Sequence, residues 1–283
     1  MKKISLFILS LSLSFHLLAQ DNITICQTSS TESFSRLASL SDFKDEHANP
    51  KPFHYTEQAG KMMTFKTSDG KEGHAYLVKA NTDIDNYIFV FHEWWGLNDY
   101  IKQEADKFWH AFNKNINVIA IDLYDGQVAT TREKASELVR SVSTARAEAI
   151  IKGAIDYTGN SSEIATIGWC FGGGWALQAA MLAGDQANGA VMYYGMPEKD
   201  EQRIKTINFP VLGIFALKDS HITPEVVNTF SDKMEKADKD LKIYNYDAVH
   251  AFANPSNPDY DKKAAEEAYN KAIMFLKRVL VKD

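Results

Sequence analysis

Residues 164–174 read IATIGWCFGGG, and this stretch restricts the possible folds more than any other. Four largely apolar residues run into Gly168-Trp169-Cys170-Phe171-Gly172, and helix-forming residues 175–183 follow. A buried strand that ends in a tight turn and feeds directly into a helix lifts one side chain, here Cys170, above the sheet edge. Gly168 and Gly172, two residues either side, suit a place where strand and helix approach too closely for a Cβ. The helix N-terminus aims free N–H groups and its positive dipole end at the sulfur, which favours thiolate. A buried structural cysteine beside packing glycines is the competing reading. The paired glycines and the preceding strand favour a nucleophile.

The rest of the chain supplies the sheet this turn requires. Residues 61–66 and 73–79 flank Thr67-Ser68-Asp69-Gly70, and Asp-Gly between two alternating runs predicts a β-hairpin. From residue 87 onward, buried strands are predicted at 87–91, 117–123, 164–168, 189–194, 211–217 and 241–246. Helical spacing fills the gaps, notably at 99–112 and at 131–157, the latter as one helix or two with a break. Thr130 or Thr131 caps the 131–157 stretch, Thr223 with Pro224 opens another helix, and an amphipathic helix over 261–282 closes the chain. Continuous apolar strands alternating with helices predict an α/β fold, a mostly parallel central sheet with helices on both faces. In such sheets chemistry gathers at the carboxyl ends of the strands. That singles out Glu93, Asp122, Cys170, Tyr194, Asp219 and His250.

With 283 residues, 45% of them hydrophobic, the chain can bury one large core. The formal charge of −6 and the lack of a basic, aromatic-interleaved stretch argue against nucleic-acid binding. Lys2 and Lys3 precede an apolar run over residues 4–18 that closes with Leu17-Leu18-Ala19. This predicts a signal peptide over 1–19 and export to the periplasm or exterior; a retained anchor is the alternative, although the run is short for a membrane span. Residues 20–57, rich in Ser, Thr, Asp, Asn and Pro, are expected to be a weakly structured extension with one short helix at 33–40. Residues 58–283 form the main domain. Two cysteines, Cys26 and Cys170, imply no disulfide framework. No stable membrane anchor is expected, and the chain is expected to be a monomer.

Cys170, Asp219 and His250 occur in the order nucleophile–acid–histidine, each after a separate strand. A thiol needs a base to remove its proton, and the base needs a group to orient it. That chain order is the α/β-hydrolase order. Singly, Asp219 reads equally well as a turn residue and His250 as a packed loop histidine. GWCFGG at 168–173, HEWWG at 92–96, LKDSHITP at 217–224 and HAFANP at 250–255 together resemble the dienelactone hydrolase family over about residues 61–282. The resemblance implies a cofactor-free cysteine hydrolase with an α/β-hydrolase fold, acting on small-molecule enol lactones or related esters. It implies a Cys170–His250–Asp219 triad, with Glu93 helping to switch the resting thiol to thiolate. The backbone N–H groups of Phe171 and Trp94 would form the oxyanion hole. By their own chemistry Trp94, Trp95 and Trp169 read either as the lining of an apolar substrate pocket or as core packing. No metal is implied.

Two departures bear on substrate. Members of this family typically hold a substrate carboxylate with two arginines. Arg132 looks like the counterpart of one, although a solvated helix residue is an equal reading. The other position is Asn254, and Ser136 stands where a tyrosine is expected. A general esterase or thioesterase on apolar acyl groups, and a non-catalytic binding protein on the same fold, are the alternatives to a lactone hydrolase.

Overall fold

A computed structural model describes residues 30–281. The predicted leader and Cys26 lie outside them. Two helices come first, α1 (Ser30–Ser39) and α2 (Ser41–Asp45), then the hairpin β1 (Lys61–Lys66) and β2 (Glu72–Val78). The chain then alternates through β3 (Asn86–Phe91), α3 (Asp99–Ala111), β4 (Asn117–Asp122), α4 (Arg132–Ser141), α5 (Thr144–Thr158), β5 (Glu163–Trp169) and α6 (Phe171–Ala183). It continues with β6 (Ala187–Tyr193), α7 (Glu201–Lys205), β7 (Val211–Ala216), α8 (Pro224–Lys236), β8 (Leu241–Tyr246) and α9 (Lys262–Leu280).

The strands form one eight-stranded sheet in the order β1-β2-β4-β3-β5-β6-β7-β8. Strands β1 and β2 are antiparallel to their neighbours and all other pairs are parallel. Every residue of β4 and β7 is buried, as a strand covered by helices on both faces requires. Helices α3 and α9 cover one face, where Phe108 stacks on Tyr269, and α5, α6 and α8 cover the other. The two possibilities for 131–157 resolve into two helices, because Ser143 opens a new one. Thr131 accepts from Lys134 N and Ser143 from Arg146 N at the two starts, the usual way a short hydroxyl satisfies an orphan helix donor.

The register brings the working residues to one edge. Phe91 is level with Gly168, which is level with Met192, and Ala216 is level with Tyr246. Glu93, Cys170 and Tyr194 therefore emerge two residues beyond one common line. Asp219 and His250 follow three and four residues past the second.

The extension over 30–57 is more ordered than its polar composition predicts. Helix α1 packs on α4 and α6, burying Phe34 and Ala38, while Phe43 and His47 are buried beyond it. Pairs spaced by four residues put Phe34 with Ala38, and Phe43 with His47, on common faces. Four docked residues are enough to fix the segment against an apolar surface made of Phe171 and Trp94. Burying each aromatic is worth about 1.5–3 kcal/mol.

Candidate active site

Cys170 stands between β5 and α6 with φ 57° and ψ −118°, a conformation that costs an L-residue about 1–3 kcal/mol. The neighbours enforce it. Cys170 N donates to Tyr193 O at 3.0 Å, and Cys170 O accepts from Gly173 N at 3.0 Å. A Cβ on Gly168 would strike the Gly172 carbonyl, and one on Gly172 would strike the backbone of Phe91 and His92. The two glycines are therefore what lets strand, turn and helix close up beneath the sulfur. Tyr194 (φ 35°) and Ala251 (φ 58°) also lie at positive φ, so left-handed backbone recurs at three loops facing this point.

The sequence-predicted partners converge. Asp219 Oδ2 accepts from His250 Nδ1 at 2.5 Å, while its Oδ1 accepts from His221 N at 2.9 Å and Ile222 N at 2.8 Å. With Nδ1 bound to Asp219, Nε2 of His250 is the nitrogen left to face the Cys170 sulfur. Ring nitrogens of His250 and His47 and the sulfur of Cys170 all lie within 4.8 Å of one another. Cys170 is 1% exposed. Burial pushes its thiol up and the Glu93 carboxylate adds to the rise, while His250 and the Phe171 N–H oppose it. The resting sulfur is held as thiol. For His250, burial opposes protonation, yet the Asp219 carboxylate and the adjoining sulfur overcome it and raise the imidazole well above its ordinary value. Asp219 is lowered against its burial by His250 and by the two backbone donors.

Glu93 is buried beside this group. Asn254 Nδ2 donates to its Oε2, and the Tyr194 hydroxyl approaches Oε1 at 3.5 Å. Burial raises its carboxyl to about 7 against the pull of His250, Asn254 and Tyr194. Asn254 is itself oriented, since its Oδ1 accepts from Ser256 N and Ser256 Oγ, both at 2.8 Å. The loop bearing Glu93 is fixed by His92, whose Nδ1–H donates to Glu93 O at 2.5 Å while Nε2 accepts from Leu123 N at 3.1 Å.

Two cavities meet here. A chamber of about 10 Å³ is lined by Cys170, His47, Glu93, Trp94, Ala251 and Asn254. Beside it a cavity of about 490 Å³ is lined by Trp95, Trp169, Tyr193, Tyr194 and Tyr269, with Glu93 and Asn254 again on its wall. The hydrogen bond between Glu93 and Asn254 spans residues common to both, so this pair forms part of the partition between them. The cationic side chain on the larger cavity is Lys107, which is paired with Glu104 at 2.6 Å.

Arg132 is not brought to either cavity. Its guanidinium meets Asp45 Oδ1 at 3.0 Å and Lys44 O at 3.3 Å, and its backbone N donates to Asn49 Oδ1 at 2.9 Å. The docked N-terminal segment therefore holds the guanidinium. Ser136 likewise donates to Ala38 O at 2.5 Å, and a tyrosine in its buried position would collide with α1. The sequence singled out neither His47 nor the role of Asn254 as the partner of Glu93.

Residues 74–280 match the dienelactone hydrolase family. The chain belongs to that family. It is a dienelactone-hydrolase-like hydrolase, and His47 lies outside the matched segment. The protein usf of Aquifex pyrophilus is 29% identical over 235 residues, covering 78% of this chain and 99% of the relative. A putative carboxymethylenebutenolidase of Aquifex aeolicus is 27% identical over 206 residues, covering 68% and 88%. The crystal structure of a putative dienelactone hydrolase from Klebsiella pneumoniae superposes with a TM-score of 0.63 at 21% identity, over 78% of this chain and 99% of that one. That likeness shows the α/β-hydrolase fold.

Proposed function

We propose that this hydrolase cleaves a small lactone or carboxylic ester through an acyl intermediate on Cys170. The observation that carries the reading is the orientation of His250, with Nδ1 tied to Asp219 and the other ring nitrogen turned to the sulfur. Substrate enters the larger cavity and displaces Glu93 from Asn254. The freed Glu93 carboxylate, raised from its ordinary value to about 7, stabilises the imidazolium as His250 Nε2 takes the thiol proton, and the thiolate attacks the carbonyl carbon. The N–H groups of Phe171 and Trp94 hold the oxyanion, His250 protonates the leaving oxygen, and water then releases the acid and restores the thiol. Keeping the sulfur protonated until substrate arrives also limits its oxidation, which suits the proposed export to the periplasm or exterior.

For substrate, the aromatic walls and the absence of Arg132 from the cavity favour apolar esters over carboxylated lactones. A panel of matched lactones and esters with and without a carboxylate tests this: a strong preference for the carboxylate would restore the dienelactone reading. For the chemistry, Cys170→Ala is expected to lose ester and lactone cleavage by more than about 10³-fold while keeping the melting temperature of the native chain. Cleavage at the native rate by Cys170→Ala would sink the cysteine mechanism.

A further inference from the structure

His47 is the unexplained group in the nucleophile chamber. It is 4% exposed, its Nδ1–H donates to Phe43 O at 2.6 Å, and its Nε2 has no hydrogen-bond partner among the described residues. A buried acceptor left without a donor costs about 1–3 kcal/mol, so its retention asks for a use. The ring is clamped by Phe43 at 4.3 Å and Trp94 at 4.6 Å between centroids, and lies 5.2 Å from the His250 ring. Burial, reinforced by His250, lowers it to about 3. The imidazole is therefore neutral, and with Nδ1 carrying the proton its Nε2 is an acceptor.

A ring nitrogen of His47 and one of His250 thus lie within 4.8 Å of each other and of the same sulfur, and acylation of Cys170 releases the His250 nitrogen from the thiol. His47 and Cys170 both line a chamber of about 10 Å³, close to the room one water needs, and a buried water needs at least two polar partners. We propose that His47, supplied by the N-terminal segment, is a positioning residue that orients the water which hydrolyses the acyl-cysteine. The inference rests on the acyl-cysteine reading above. One O–H of the water donates to His47 Nε2 and the other to His250 Nε2, which turns an oxygen lone pair toward the thioester carbon. A carbon–oxygen bond forms as His250 takes the second proton. The carbon–sulfur bond then breaks with its electron pair leaving on Sγ, His250 returns the proton to sulfur, and the free acid departs. His47 exchanges no proton.

The test uses the full chain, a p-nitrophenyl ester, and two substitutions of similar size. Asparagine places its amide near the old Nδ1 and can keep the bond to Phe43 O, whereas glutamine reaches the old Nε2 position with an acceptor oxygen. His47→Asn is expected to give a stoichiometric burst of p-nitrophenolate and then a kcat lowered by about 10–100-fold. KM should fall in parallel, leaving kcat/KM within about twofold, because kcat/KM reports acylation alone. Intact-protein mass should show the acyl group, and peptide mapping should place it on Cys170. His47→Gln should recover most of kcat. Equal behaviour of the two variants, or a fall in kcat and kcat/KM together without a burst, would overturn the assignment and leave His47 as a structural residue. Unimpaired turnover by Cys170→Ala would instead remove the acyl-cysteine reading on which it stands.

Discussion

At the scale of single residues, Glu93 is the group whose environment is most at odds with its ordinary chemistry. Its carboxyl is shifted from 4.5 to about 7, chiefly by burial, so the folded state favours the protonated form. The native chain binds more protons than the unfolded one between those values, and stability falls as pH rises through that interval. Above about pH 7 the penalty is complete, and a shift of this size corresponds to about 3 kcal/mol. Glu93→Gln keeps a side chain that accepts from Asn254 and carries no charge. It is expected to raise the melting temperature at pH 8, with the gain disappearing as pH falls below about 4.5; urea melts across that range measure it. If Glu93 gates the thiol as proposed, the same variant should lose most esterase activity and the acid limb of kcat/KM near pH 7. A stabilised, active Glu93→Gln would separate the buried charge from the chemistry. Cys170 has the complementary character, a thiol whose burial raises it above its ordinary value on a backbone at φ 57°.

At the scale of elements, the segment comprising α1, α2 and the turn through His47 behaves as a component of the site. Arg132 ties it to α4 through Asp45 and the Lys44 carbonyl. That pair is part-exposed, so Arg132→Ala should cost no more than about 1 kcal/mol in global stability. It should speed proteolytic cleavage between residues 44 and 58 without altering the ratio of activity on carboxylated and neutral esters, and limited proteolysis followed by mass analysis checks both statements. This segment also marks the limit of what could be read from sequence. The strands were legible because residues buried on both faces form unbroken apolar runs. Cys170, Glu93, Asp219 and His250 were legible because each follows a strand end. His47 stands in the polar run Asp45-Glu46-His47-Ala48-Asn49, and its burial depends on docking with Phe43 against Trp94, a contact between segments far apart in sequence. Arg132 was expected at the substrate because its distance along the chain from a motif does not reveal what will cover its helix face. Asn254 was legible as a missing arginine but not as a donor to Glu93, since that bond joins loops 161 residues apart.

At the scale of the whole molecule, a parallel sheet gathers four loops at one edge and a segment outside the family match closes over them. The result is a Cys170 sulfur with little direct access to solvent, separated from a much larger aromatic cavity by residues that include the Glu93–Asn254 pair. Reactivity of Cys170 should then report opening of the N-terminal closure before it reports global unfolding, because local opening has a smaller free energy than unfolding the sheet. Phe43 joins that closure to the rest, contacting Phe34, Trp94, His221 and His250. Phe43→Ala removes a fully buried ring, a change that costs about 3–5 kcal/mol where the surroundings cannot collapse. If the segment opens as a unit, much of that cost appears as opening and not as loss of the sheet. Alkylation of Cys170 by iodoacetamide, followed by peptide mass so that Cys26 does not contribute, should be slow in the native chain and at least about tenfold faster in Phe43→Ala, well below the melting transition of the variant. Substrate-analogue binding in the larger cavity should raise the native rate as well, since displacing Glu93 exposes the sulfur and favours its thiolate. If alkylation follows the global melting curve in both proteins, the segment is an integral part of the fold and the nucleophile is reached only through the aromatic cavity.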